Sequence, residues 1–404
     1  MRELLRRHGL TVRYSLVQGT YWMLYAAVSG FASVYLLDRG LMSSEVGVVI
    51  AAAGLLTAVL QPLLSTYADR PDALTDRAIC RILGIGAAAL SAVVLVCFDR
   101  PPLVTGVLYG GCYVMLLLLL PFVNALGTEG ARDGRPLNWG IARGLGSLAY
   151  AVLAAALGSV IAMRGAAAVP VSMLIVFALF TASVQAFPFR RVTTETAKAP
   201  DAMEAPTPVG KERPFILRYP TFTLLLVGMV GLYVSHMMNS TYLYQIVVSK
   251  GGGQAENGMI MSVCAVVELP ALFLLSLLLR KFGCRRLYIV AGAFMALKAV
   301  GTLLSPTVGW LTVAQMAQIL GWGLMAAVPV FYVKERIPAR DAIKGQGYMA
   351  MTNTLGNAVG SLLGGSLIDG PGIRAMQVVS MAAGIAGAVI VAAAIVAEKS
   401  VKSA

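Results

Sequence analysis

The sequence predicts an all-α membrane protein with twelve transmembrane helices in two pseudo-symmetric six-helix halves. Three observations carry that expectation. Hydrophobic residues make up 58% of the 404 and charged residues only 13%, whereas a soluble domain carries about 25% charged residues. With a mean hydropathy of +0.77, the chain holds more apolar surface than a water-soluble core can hide. It also divides into twelve apolar runs, each near the roughly 20 residues that a bilayer requires. Finally, it repeats. A shift of 211 positions carries Arg39-Gly40, Glu45-x-Gly47 and Asp69-Arg70 onto Lys250-Gly251, Glu256-x-Gly258 and Arg280-Lys281.

In order, the runs fall at about 14–37, 45–68, 78–98, 102–126, 138–162, 166–187, 220–248, 257–280, 286–304, 308–333, 345–368 and 373–397, by apolar length and helical period. Turn chemistry separates them at Asp38-Arg39-Gly40, Asp99-Arg100-Pro101-Pro102 and Ser305-Pro306. Between the sixth and seventh runs the composition changes to Pro, Thr, Ala, Glu and Lys with no apolar period, which reads as a partly disordered linker. The expected organisation is an N-terminal half at 1–187, a linker at 188–219 and a C-terminal half at 220–404. Arg2, Arg6 and Arg7 precede a run too long for a signal-peptide core, so the first helix is expected to remain.

The formal charge of +13 suggests nucleic acid at first sight, but its distribution argues otherwise. Twelve helices place both termini and every second loop on one side. That side collects 25 of the 32 Lys and Arg residues, and the other side holds Arg39, Arg100, Arg164, Lys250 and Arg374. The bias puts the termini and the linker in the cytoplasm of a bacterial-type inner membrane. The five cysteines lie in or beside apolar runs without metal-ligand spacing and read as small buried hydrophobes. The chain shows no phosphate loop, dinucleotide fingerprint, catalytic triad or metal constellation, so neither an enzyme nor an ATP-driven pump is expected.

A charge at the bilayer centre costs roughly 2.5–3.5 kcal/mol on insertion scales and is kept only when paired or solvated. Arg143, Glu268 and Lys298 lie deep in runs five, eight and nine. The planar fork of Arg143 suits vicinal hydroxyls or a carboxylate; a structural ion pair with Glu129 is the bland alternative. Glu268 and Lys298 lie within pairing reach on consecutive helices. They read as a proton-coupling pair, or more simply as a lock between the two helices. His236 lies mid-run with Asn239, Ser240, Thr241, Tyr242, Tyr244 and Gln245 after it. A histidine there either titrates near neutral pH or lines a pocket as a neutral hydrogen-bonding group. Tyr21, Trp22, Tyr25, Tyr35, Tyr113, Asn124, Trp322, Asn353 and Asn357 complete the candidate lining, or else pack between helices. Gly356-x-x-x-Gly360 and Gly360-x-x-x-Gly364 allow close helix approach.

Two basic-linked halves of six helices resemble the major facilitator superfamily. Tyr67-Ala68-Asp69-Arg70 is similar to that family's helix 2–3 motif, though Ser65 replaces its usual glycine and Pro71-Asp72-Ala73 its trailing basic residues. The resemblance implies a conformational gating role for Asp69 and Arg70. Leu37-Asp38, Ser44-Glu45-x-Gly47, Gln61-Pro62-Leu63 and Gly140–Gly146 resemble the lactose-permease-like branch of proton-coupled oligosaccharide and nucleoside symporters. That branch places a sugar-contacting Arg at Arg143, a buried Glu at Glu268 and a buried basic residue at Lys298. Gly321, Trp322, Gly323 and Leu324 stand where its helix 10 proton relay would be, and Asn353 stands where helix 11 carries Lys.

Repeated six-helix halves place a transporter's site where the halves meet. The expected function is proton symport of a small polar solute, a sugar, oligosaccharide or nucleoside, by alternating access. Arg143, Asn124, Tyr25, Tyr35, His236, Asn239, Trp322 and Asn353 would bind the solute, and Glu268 with Lys298 would couple the proton. The proton gradient would supply the energy without a cofactor; the partners would be solute, protons and lipid, and the protein a monomer. Proton-antiport efflux of amphipathic compounds and uncoupled facilitation are the alternatives, and a membrane sensor that keeps the fold without flux is a third.

Overall fold

The computed structural model describes residues 2–70, 72–97, 101–131, 137–188, 214–325 and 328–403. Helix occupies all twelve predicted runs, numbered here as spans 1–12. Among the described residues, ten helices are long and apolar enough to cross a bilayer, and an eleventh is gained if the pair bent by 41° at Phe31 counts as one span. The remaining run lies in the continuous helix Ala339–Asp369. Its hydropathy is lower because Gly, Ser and Asn replace large apolar residues where the helix is pressed against its neighbours. A Cβ at Gly360 would lie 2.8 Å from the Val234 carbonyl oxygen, and one at Gly364 would lie 2.5 Å from the Tyr242 ring. Span 11 is polar for packing reasons.

Five spans are single helices whose ends follow local chemistry: Ser43–Ala68, Asp76–Val96, Pro102–Ala131, Trp139–Arg164 and Ala168–Ala186. Thr75 Oγ1 accepts from the Ala78 N–H and Asn138 Oδ1 from the Ile141 N–H, so each fills an orphan donor of a first turn. Spans 1, 7, 8 and 10 are broken. Span 1 runs as Arg2–Leu24, a π-helical turn Tyr25–Gly30 and Ala32–Asp38. Span 7 breaks between Pro220–Thr241 and Leu243–Ser249. Span 8 breaks at Glu268, between Gln254–Val267 and Leu269–Phe273, where Pro270 lacks the N–H that the ladder needs. It turns into span 9 at Gly283, whose φ of +75° allows the reversal inside Leu275–Leu304. Span 10 is Val308–Gln315, a 3₁₀ turn Met316–Ile319, Trp322–Met325 and Val328–Arg336. Span 12 is Ile373–Ser403.

The internal repeat is physical. Glu45 Oε2 accepts from the Met42 N–H at 2.8 Å, and Glu256 Oε2 accepts from the Gly253 N–H at the same distance. Gly40 and Gly251 reach φ of +86° and +83° at the same point of the two loops. Gly47 and Gly258 then let spans 2 and 8 meet the opposite half. Gly47 meets the Ser361 backbone of span 11, and Gly258 meets Ala154 and Gly158 of span 5.

Two apolar cores result. One begins in the first six spans with Tyr14, Tyr21, Phe31 and Phe177, and continues across into Tyr242, Ile246 and Met261. The other, around Phe222, Tyr288 and Val328, stays within the last six. The hydrogen bonds that join the halves gather at the end bearing the Arg39 loop. Ser33 Oγ donates to the Thr241 carbonyl, the Tyr242 hydroxyl lies against the Ser43 and Ser361 carbonyls, and Asp369 holds Ser43 and Ser44. Side chains such as Val59, Leu63 and Leu103 are left on the outside, a pattern suited to lipid.

Most of the predicted linker at 188–219 lies outside the described residues, as does the Glu129 side chain. Asp69 and Arg70 are exposed, at the end opposite the Arg39 loop.

Candidate functional site

Arg143 stands about one turn inside span 5. Its Nη1 donates to Ser147 Oγ at 2.7 Å, and its guanidinium lies 3.9 Å over the Trp22 ring. Trp22 is held in turn. Its Nε1 donates to Gln18 Oε1 (3.1 Å), while Gln18 Nε2 donates to the Tyr14 hydroxyl (2.7 Å) and Asn124 Oδ1 (3.4 Å). A Cβ at Gly146 would lie 2.6 Å from Trp22, so glycine here is what allows the indole beside Arg143. Tyr25 packs against Trp22 with ring centroids 5.4 Å apart, at the start of the π-helical turn. Extra-residue turns of that kind recur at functional sites.

The facing half supplies a charged bridge. Glu268 is 8% exposed and Lys298 is 6% exposed. Their expected direct pairing is replaced by a bridge, because Gln318 stands between them. Lys298 Nζ donates to Gln318 Oε1, and Gln318 Nε2 donates to Glu268 Oε1. The 3₁₀ turn of span 10 places this amide, and the break of span 8 turns Glu268 toward it. Glu268 also lies within electrostatic reach of Arg143 across the boundary between halves. The two halves touch there, since a Cβ at Gly144 would lie 2.5 Å from the Phe273 ring.

Beside the bridge, His236 and Trp322 stack with centroids 4.1 Å apart and planes at 6°. Tyr233 meets Trp322 edge-on at 6.0 Å, with the Asn353 side chain nearby. Ser235, His236, Asn239, Met295, Lys298, Gly321 and Trp322 surround a chamber of about 10 Å³.

Arg143, Asn124, Tyr25, His236, Trp322, Asn353, Glu268 and Lys298 are thus brought into two facing clusters. One of the expected solute contacts lies elsewhere. Tyr35 is fully buried and stacked on Tyr109 at 5.4 Å, with its hydroxyl lacking a hydrogen-bond partner among the described residues. Asn239 lines the chamber beside His236 and Lys298, while its Nδ2 donates to Ser380 Oγ of span 12 at 2.8 Å. Sequence reading missed Gln18, Ser147 and Gln318. Gln315 and Gln318 are amides three residues apart in an apolar run, and that was the available signal.

The sequence pattern of the MFS_1 like family, of the major facilitator superfamily, matches residues 14–378. The chain belongs to this family. The chain is thus a major facilitator secondary transporter, not an enzyme. No curated protein matches the chain. Solved structures similar to it include a mutant of the nucleoside transporter NupG, with a TM-score of 0.76 and 13% identity over 96% of this chain and 99% of that one. A POT peptide transporter mutant in complex with alafosfalin gives 0.68 and 14%, over 96% and 94%. A bacterial homolog of the human lysosomal transporter Spinster, inward-facing and occupied, gives 0.65 and 14%, over 97% and 96%. At these identities the likeness concerns the fold, a major facilitator fold.

Proposed function

We propose that this transporter moves a small polar solute, a sugar, oligosaccharide or nucleoside, by proton symport with alternating access. One observation carries the reading: a carboxylate, Glu268, is buried between the cation-bearing clusters of both halves, bridged to Lys298 and within reach of Arg143. A buried carboxylate retained among cations can change charge state at the boundary that must rock. Arg143 on Trp22 and the His236–Trp322 stack offer a donor fork and flat faces, which suit a hydroxylated or ring-shaped solute. The likeness of fold to a nucleoside transporter agrees with that class of solute.

The basic residues place the termini and the linker in the cytoplasm. The contacts at the Arg39 loop then close the outer end. Asp69 and Arg70, exposed in this state, would meet gating partners of the other half only when the opposite end shuts. The protein works as a monomer in the inner membrane.

The test uses the purified protein in liposomes, an imposed proton gradient and a panel of sugars, nucleosides and peptides, with Glu268→Gln alongside. Gradient-driven accumulation is expected in the parent and is lost in Glu268→Gln, while solute exchange persists. Flux that ignores the gradient in both proteins refutes symport and identifies a facilitator. Proton-driven expulsion of amphipathic dyes would instead identify an antiporter.

A further inference from the structure

We propose that Gln318 is an amide switch that reports the protonation of Glu268 to Lys298, with Asn239 as the second resting place of the Lys298 ammonium. The inference rests on the reading of Glu268 as the proton-coupling carboxylate.

Chemistry dictates how the amide sits. An ammonium only donates and an ionised carboxylate only accepts. The Gln318 carbonyl oxygen therefore faces Lys298 and its NH₂ faces Glu268, as found. This bridge matches one charge state. When water in the space between the halves gives Glu268 a proton, the neutral acid gains an O–H that needs an acceptor, and Gln318 Oε1 is already occupied. Turning the amide end for end presents Oε1 to the acid. It also brings Nε2 against the ammonium, donor to donor. Lys298 must then find another acceptor.

That acceptor is already in place. Asn239 is 3% exposed, and its Nδ2 is engaged by the Ser235 carbonyl (3.0 Å) and Ser380 Oγ (2.8 Å). Its Oδ1 is buried with no partner among the described residues. Buried polar atoms of native proteins are nearly always bonded, and an exception calls for a reason. Asn239 and Lys298 line the same chamber, whose volume of about 10 Å³ is on the scale of one water. An ammonium swung into it bonds the orphaned oxygen. Lys298 keeps its charge, the added proton remains on Glu268, and only the partners change. Because Asn239 joins spans 7 and 12 through Ser235 and Ser380, the swing carries the charge state of span 8 into the packing of two other helices.

Other titratable groups face this device. Arg143 and Tyr150 of span 5 and Cys264 of span 8 lie within electrostatic reach of Glu268, while Cys264 and His236 lie within reach of Lys298. Of these, histidine has its ordinary titration nearest neutrality, so the experiment must separate it.

Trp322 lines the chamber and reports on it. The experiment follows its emission against pH in liposomes, in a chain carrying Trp22→Phe, Trp139→Phe and Trp310→Phe. A pH-dependent step is expected. It is abolished in Glu268→Gln and cut by more than about half in both Gln318→Leu, which cannot bridge, and Gln318→Glu, which holds Lys298 but cannot donate. Size-exclusion profiles show whether each variant is folded, and the two Gln318 replacements guard against loss of either one. A flat trace in the parent overturns the switch. So does a step that survives in Glu268→Gln, which would mean that His236 itself titrates, or one unchanged in both folded Gln318 variants. Gradient-driven uptake is measured in parallel on liposomes holding the protein with its four tryptophans intact. A step without driven uptake leaves the switch standing and refutes symport, while driven uptake without the step does the reverse.

Discussion

Asp369, just past the apolar stretch of span 11, caps the start of span 2 in the opposite half. Its carboxylate accepts from the Ser44 N–H at 2.6 Å, and from the Ser43 N–H at 3.1 Å. The first N–H groups of a helix have no partner of their own, and the helix dipole favours an anion beside them. One carboxylate thus satisfies two donors across the boundary that must part during transport.

Asp369→Ala is therefore expected to loosen the end bearing the Arg39 loop. Burial works to raise the pKa of the Asp369 carboxyl, but the hydrogen bonds of Ser44 and Ser43 prevail and hold it below the ordinary carboxylate range. A lowered folded pKa contributes stability that is fully present above the unfolded value and is lost as pH falls through the folded one. The latch should hold at neutral pH and weaken only in acid below the usual carboxylate range. Labelling of Ser33→Cys by a membrane-impermeant maleimide, added from that end, should rise in Asp369→Ala at neutral pH. In the parent that end should open only in strong acid, where spin-label distances between Ser33 and Thr241 replace the labelling, since a thiol reacts as its thiolate. Equal labelling of both proteins at pH 7 would show that the cap holds nothing.

Close approach at glycine gives a second lever on the same equilibrium. A Cβ at Gly158 would lie 2.6 Å from the Gln254 carbonyl oxygen and 2.9 Å from Gly258 Cα. Overpacking of this kind costs about 1–3 kcal/mol, a shift of roughly 5- to 150-fold in a two-state population. Gly158→Val should lengthen the distance between spin labels placed on spans 5 and 8 near the Arg39-loop end. Distances matching the parent's would contradict a closed state that depends on this contact.

Removing Lys298 leaves the Gln318 carbonyl oxygen without its donor and Glu268 without its bridged cation. Breaking a buried ion pair by removing one member costs about 3–5 kcal/mol. Lys298→Met should lower the melting temperature markedly, and Lys298→Met with Glu268→Gln should recover part of the loss. Strictly additive losses would mean that the two charges do not communicate through Gln318.

Arg143→Lys keeps the charge but gives up the planar stack on Trp22 and the forked donors. Cation–π contacts at desolvated sites are worth about 0.5–2 kcal/mol, so the half-saturating solute concentration should rise by roughly 3- to 30-fold. Unchanged affinity would reassign Arg143 to holding helices.

Much of the architecture was legible without coordinates, because apolar length and the loop–helix repeat are local properties. Glu45 and Glu256 cap their own helices three residues away, so their recurrence survives translation into structure intact. Arg143, Glu268 and Lys298 were legible for a related reason: a charge in an apolar run is costly wherever the run ends up. Gln318 was harder to see. An uncharged amide carries little penalty in a helix, and its role depends on two residues 50 and 20 positions away. Tyr35 shows the opposite error, since an aromatic side chain in a run does not announce which face it occupies.

By itself, the sequence determined that the chain crosses a bilayer in two related halves and that three charges lie within its apolar runs. Composition and spacing act along the chain and need no partner. The tertiary structure alone decided what those charges meet: an indole and a serine for Arg143, and an interposed amide for Glu268 and Lys298. It also decided which end of the bundle is sealed, since Asp369 finds Ser43 and Ser44 more than 300 positions away. Such contacts depend on how helices bend and rotate against one another, and the breaks at Tyr25–Gly30, Glu268 and Met316–Ile319 set that rotation.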